Sequence, residues 1–214
     1  MKLLAVDTAL GACSAAILDG DSVIAHRFEL MERGHAERLA PMVEEVMREA
    51  KLPFAALDRL AVTTGPGTFT GQRVGLAFAR GLRVALNRPL TGITTLAAMA
   101  AQAMAETGCK TAAALHDARR GEVYLEIAGE SASPPDVLLL DAALRRLQSL
   151  RDGFALAGTA APAALAAFPS ARMSSVRQPD AIWVARLAAG QPATDAAPRP
   201  LYLRAPDARL PAPR

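Results

Sequence analysis

The chain has 214 residues, 51% of them hydrophobic and 21% charged, and carries a net charge of +3. These proportions exclude a mainly disordered chain. No apolar run approaches the 20 residues that a membrane-spanning helix needs, and Asp7 falls too early for a secretory leader, so the expected location is cytoplasmic. Of the 24 basic residues only Lys2, Lys51 and Lys110 are lysines. The arginines are scattered without a block of five, so charge by itself names no partner. Cys13 and Cys109 have no His or Cys neighbour at ligand spacing and are expected to be reduced, buried and apolar in role.

In chain order, "KLLAVDT", "CSAAILD" and "VIAHRFEL" read as three short strands of an antiparallel meander, with "GDS" as a turn. "HAERLAPMVEEVMREA" follows as a helix. Its Leu39, Met42, Val43, Val46, Met47 and Ala50 recur with the period of one helix face, and Pro41 is compatible with its first turn only. A strand over 57–64, the glycine-rich "GPGTFTGQRVG", a helix over 70–86, a short strand near "LTGI" and an Ala-rich helix over 94–106 complete this part. Three antiparallel strands followed by alternating helices and strands predict a mixed sheet with helices packed on it.

Near Gly108 the pattern restarts. "KTAAALHD" and "EVYLEIAG" form a hairpin around "ARRG", with Gly121 supplying the positive φ of the turn. "FALAGTAAPAALAAF" reads as strand, turn and helix, and "PDAIWVARLAAG" as a helix between Pro179 and Gly190. Beyond Gly190 the prolines predict an extended tail. The expected organisation is therefore two α/β lobes, residues 1–107 and 108–214.

The glycine-rich segment is open to two readings. It contains no lysine, so it is not a Walker loop. What remains is either an anion site at a helix start, using Gly65, Gly67, Thr68, Thr70 and Gly71, or a turn whose glycines allow close packing. The following helix is apolar nearly all round, with Gln72, Arg73, Arg80 and Arg83 as a narrow polar edge. That pattern predicts burial on more than one side, against the sheet and against a second protein or within its own lobe. His26, His35 and His116 lie too far apart for a metal site, and none is expected. Neither a nucleophile elbow nor an activated cysteine is present. Asp7 and Asp117 end the first strand of each lobe, where they could face one cleft and hold a metal-nucleotide complex. Asp117 is equally suited to cap its own hairpin turn.

"LLAVDTALGACSAAIL", "GHAERLAPMV", "GPGTFTGQRVGLAFARGL", "DARRGEVY" and "PLYLR" together resemble the TsaB (YeaZ) family, over nearly the whole chain and in order. The resemblance implies the two-lobed, RNase H-like fold of actin, Hsp70 and sugar kinases, with mixed sheets flanked by helices. It implies a non-catalytic partner of the catalytic subunit TsaD, which transfers a threonylcarbamoyl group to N6 of an adenosine beside the tRNA anticodon. It further implies a TsaE-type ATPase as a further partner, a homodimer when TsaD is absent, tRNA met through the complex, and no cofactor held tightly by this chain, with ATP and Mg only in the assembly. Leu39, Met42, Val43, Val46, Met47, Val74, Leu76, Phe78 and Leu82 are the interface residues assigned on this basis. The wider class binds ATP through two phosphate loops and an adenosine loop, and here "DTALGACS", "HDARRGEVY" and "LAGTAA" all depart from those patterns. The alternative is a nucleotide-dependent phosphotransferase or hydrolase of the same fold using Asp7 and Asp117.

Overall fold

A computed structural model describes residues 1–150, 153–194 and 196–204. The first sheet begins with the expected meander, β1 (Lys2–Asp7), β2 (Ala12–Asp19) and β3 (Ser22–Leu30). Then come α1 (His35–Glu49), β4 (Arg59–Gly65), α2 (Phe69–Leu86), β5 (Leu90–Thr94) and α3 (Thr95–Thr107). The strand order is β3-β2-β1-β4-β5, antiparallel through the meander and parallel from β1 to β5.

The second sheet repeats this plan with β6 (Thr111–Asp117), β7 (Glu122–Gly129), β8 (Ser133–Leu139), α4 (Leu140–Leu147), β9 (Ala155–Ala157), α5 (Ala161–Ala167) and β10 (Arg172–Met173). Its order is β10-β9-β6-β7-β8, with the meander again antiparallel and β6, β9 and β10 parallel. The same βββαβαβ order, used twice, is the two-lobed actin-like architecture. β8 runs through Pro134 and Pro135, and it tolerates them because it is an edge strand with one unpaired side.

The period-2 pattern of β1 explains how its sheet is covered on both faces. Leu4 and Val6 join Ile17, Leu60 and Val62 beneath α1 and α2. Leu3 and Ala5 face the other way, toward α6 (Ala181–Ala189) and the start of α3. α6 lies within residues 108–214, yet its Ala181, Val184, Ala185 and Ala188 pack on the first sheet, so the chain returns to the first lobe after the second is built. Between the sheets, Leu96, Met99, Ala100 and Ala103 of α3 meet Ala112, Ala114, Ala155 and Ala157. Alanine on both sides lets the helix lie close against the second sheet.

α1 starts at His35, so Pro41 stands in its second turn rather than its first. Pro41 is solvent-exposed, and the Glu37 carbonyl that loses its N–H partner is on the wet side of the helix, where water can replace it. His26 of β3 is half-buried, its Nε2 2.9 Å from Asp180 Oδ1 at the start of α6. No helix among the described residues is long and apolar enough to cross a membrane.

Candidate functional site

The glycine-rich segment follows β4 and leads into α2. Thr68 caps that helix, its Oγ1 accepting from the Gly71 N–H at 3.0 Å. The loop lies on the turn that links β1 to β2. Thr68 N donates to the Ala9 carbonyl at 2.8 Å, and Thr8 Oγ1 donates to the Gly71 carbonyl at 2.7 Å. The contact is so close that a Cβ at Gly67 would overlap the Ala9 carbonyl, and one at Gly71 the Thr8 carbonyl. At Gly75 a Cβ would come within 2.7 Å of Thr8 Oγ1. Beneath Gly65, the buried Gln72 side chain folds back to donate to the Gly67 carbonyl at 2.9 Å. These glycines serve backbone-to-backbone packing. Thr70 is exposed at the start of α2.

The β1–β2 turn, where the wider fold class cradles phosphate, is occupied by the protein itself. Besides the contacts from the glycine segment, the Gly11 N–H donates to Gln178 Oε1 at 2.9 Å, and His35 Nε2 lies 3.1 Å from the Leu10 carbonyl. Asp7 is wholly buried. Its Oδ1 accepts from Thr63 Oγ1 at 2.6 Å and Ala9 N at 3.1 Å, whereas the buried Oδ2 finds no partner among the described residues. Burial pushes its carboxyl up to about 7, only partly opposed by the Thr63 and backbone hydrogen bonds. An enclosed carboxyl whose ionisation burial opposes, and a turn filled by the protein's own groups, do not fit a magnesium-nucleotide.

Asp117, exposed at the end of β6, caps its own hairpin: its Oδ1 accepts from the Arg119 N–H at 2.8 Å. The adjacent His116 is buried and pulled down to about 4 by desolvation. Asp7 and Asp117 are thus each committed to local structure. Among the described residues no group of three His, Cys, Asp or Glu could hold a metal. Cys13 is buried and its thiol pushed up to about 12, an inert core sulfur, whereas Cys109 is half-buried.

The two helices carrying the expected interface residues divide differently from the expectation. Leu39, Met42, Val43, Val46 and Met47 are all buried between α1 and the first sheet, and Leu76 with them. They cannot reach a partner, because the face that looked like a docking stripe is the core face of its own lobe. Val74, Phe78 and Leu82 are half-buried and pack against the edge of that core. The residues that α1 and α2 show to solvent include the small Ala36, Ala40, Ala77, Gly81 and Ala85 together with Pro41 and Val84, beside the charged Glu37, Glu44, Arg48, Glu49 and Arg73 and, at the start of α2, Phe69 and Thr70. Val84 is 77% exposed. Arg38, donating to Glu29 on β3 and to Glu45 at 2.8 Å, fixes α1 on the sheet.

Sequence reasoning missed Gln178 and Thr8, which close the turn, and placed Gln72 on the polar edge of its helix, whereas Gln72 is buried against the glycine segment. A glutamine 167 residues from its partner leaves no local signal. Also unforeseen was the tail, which runs back over the first lobe. Leu201 N donates to the Thr64 carbonyl at 2.8 Å, Pro198 sits on Gly92 of β5, and Arg204 reaches the Ala118 carbonyl at 3.1 Å and pairs with Glu122 of the second lobe.

Two lobes of one topology define an actin-like ATPase-type fold, here with a β1–β2 turn contacted by the protein's own Thr68, Gly71, Gln178 and His35. The chain resembles, at a TM-score of 0.51 and 11% identity over 88% of its length and 94% of the other, the activator of the 2-hydroxyisocaproyl-CoA dehydratase from Clostridium difficile with bound ADPNP, a likeness of fold alone. Residues 28–146 match the family model for TsaD, tRNA N6-adenosine threonylcarbamoyltransferase. The chain is 41% identical over 124 residues to the Escherichia coli tRNA threonylcarbamoyladenosine biosynthesis protein TsaB, a match spanning 58% of this chain and about half, 53%, of that relative. YeaZ from Pseudomonas aeruginosa superposes with a TM-score of 0.79 at 31% identity, covering 94% of this chain and 99% of the other. The chain belongs to the TsaB (YeaZ) family.

Proposed function

We propose that this chain is a non-catalytic subunit that binds a TsaD-type catalytic subunit and supports threonylcarbamoyl transfer to tRNA. The name of the Escherichia coli relative supports the pathway. The observation that carries the subunit role is the outer face of α1 and α2. Ala36, Ala40, Ala77, Gly81 and Ala85 keep it nearly flat, so a second helix pair can approach closely, and Val84 projects from it as an anchor. Because residues 28–146 match the TsaD model, the partner would offer an equivalent helix pair, and a like-with-like, pseudo-twofold contact follows. The same face would pair two copies when the catalytic subunit is absent. A TsaE-type ATPase, tRNA and ATP with Mg belong to the assembly in this reading, and the closed β1–β2 turn supports the reading that this chain holds no nucleotide tightly on its own.

The test is co-purification with the TsaD-type subunit. Ala77→Arg with Val84→Glu should abolish association while the isolated variant keeps the wild-type melting temperature within a few degrees. Undiminished co-purification would sink the proposal.

A further inference from the structure

Between Asp58 and Glu106 the chain contains no carboxylate, yet this stretch holds Arg59, Arg73, Arg80, Arg83 and Arg88. Three of these arginines line one side of α2, and the tail adds Arg199 beside them. Arg80, Arg83, Ala196, Ala197 and Arg199, together with Val84, which the proposed subunit contact also uses, surround a hollow of about 520 Å³. The size is that of ordinary small-ligand sites, and the arginines stand around apolar walls. One acid, Asp195, occurs in the tail sequence 191–204.

At the other end of the same side, Phe69 and Tyr202 stack with ring centroids 6.0 Å apart, and the Arg73 guanidinium lies 3.3 Å from the centre of the Phe69 ring. Despite this contact, Phe69 is 57% and Tyr202 46% exposed, so both offer ring surface to solvent. Arg73 donates to the Tyr202 hydroxyl at 2.8 Å and Arg80 to the Pro198 carbonyl. Both acceptors are neutral, so these two hydrogen bonds do not themselves cancel either charge. From Phe69 to Arg83 the side is about 21 Å long, at about 1.5 Å per helical residue.

Exposed aromatic rings followed by arginines, on a stretch free of acids, match the chemistry of single-stranded nucleic acid: rings stack on bases and guanidinium forks meet phosphates. We propose that this side of α2, with the tail residues seated on it, is a docking surface for an unpaired RNA strand. Phe69 and Tyr202 take bases, and Arg73, Arg80 and Arg199 take phosphates. The choice of RNA rests on the tRNA-modification reading above, whereas the surface stands on its own geometry and needs no protein partner.

The experiment therefore uses the full chain alone, with fluorescence anisotropy of a labelled single-stranded RNA of about a dozen nucleotides over a salt series. Wild type should bind with a log–log salt slope near −2, from about 0.7 per phosphate contact. Arg80→Ala with Arg199→Ala should reduce the magnitude of that slope by about 1.4. Phe69→Ala should weaken binding by roughly 5- to 100-fold through lost stacking. Arg145→Ala, on the exposed side of α4, should change neither, and circular dichroism should show every variant folded. No binding by wild type, or unchanged slope and affinity in the variants, overturns the proposal. Displacement of the RNA by polyglutamate at equal charge concentration would also overturn it, by assigning the surface to an acidic protein. Each outcome is independent of whether the TsaD-type subunit binds.

Discussion

Asp7 ends a strand buried on both faces, and its carboxyl lies where water does not reach it. A carboxyl pushed up to about 7 by burial is largely protonated in the folded chain at mildly acidic pH, whereas in the unfolded chain it ionises near its ordinary value of about 4. The folded state therefore holds the proton more tightly, and stability declines as pH rises from about 4 to about 7, then levels off. Asp7→Asn, which keeps an acceptor for Thr63 and Ala9, should melt higher than wild type at pH 8 and lose that advantage at pH 4. A variant equally destabilised at both pH values would contradict this. At Gly71, the Thr8 carbonyl lies where a Cβ would have to go, so Gly71→Ala should cost about 1–3 kcal/mol by overpacking in chemical denaturation. Sequence inspection identified the segment and its glycines but left their purpose open between anion and packing. The deciding contacts come from Thr8 and Ala9, some sixty residues earlier.

The helices show why periodicity reads a face but not what covers it. The i, i+3, i+4 pattern of Leu39 to Met47 marks an apolar stripe correctly, and the structure covers it with the helix's own sheet. Met42→Ala should therefore destabilise the isolated chain by about 2–5 kcal/mol, the cost of a core cavity, whether or not a partner is present. α2 offers the opposite contrast at Gly81, which has nothing within 4 Å of the place a Cβ would take. Gly81→Ala should stabilise the isolated chain by up to about 1 kcal/mol through helix propensity, and a bulky residue there should weaken association without unfolding. Elements with strong local signals were legible: the meander, α1, α2 and the β6–β7 hairpin. β8 was not, because Pro134 and Pro135 argue against a strand until its edge position is known. β10 spans two residues and carries no pattern to read.

At the scale of the molecule, the restart near Gly108 made the two-lobed α/β plan legible, since the second lobe repeats the first. The return of the chain was hidden. α6 carries alanines that suit any close packing, and only the structure places them on the first sheet. The tail then ties β4 to the second lobe through Leu201 and Arg204. The chain thus joins a closed phosphate turn, facing inward, to a helix pair, facing outward. The proposed function follows from that division, with assembly at the helix face rather than chemistry at the turn. Hydrogen–deuterium exchange of this chain, free and bound to its TsaD-type subunit, tests it most directly. The account predicts new protection concentrated in residues 36–48 and 69–85, with the turns at 8–11 and 117–121 unchanged. Protection confined to those two turns, with α1 and α2 exchanging as in the free chain, would contradict it.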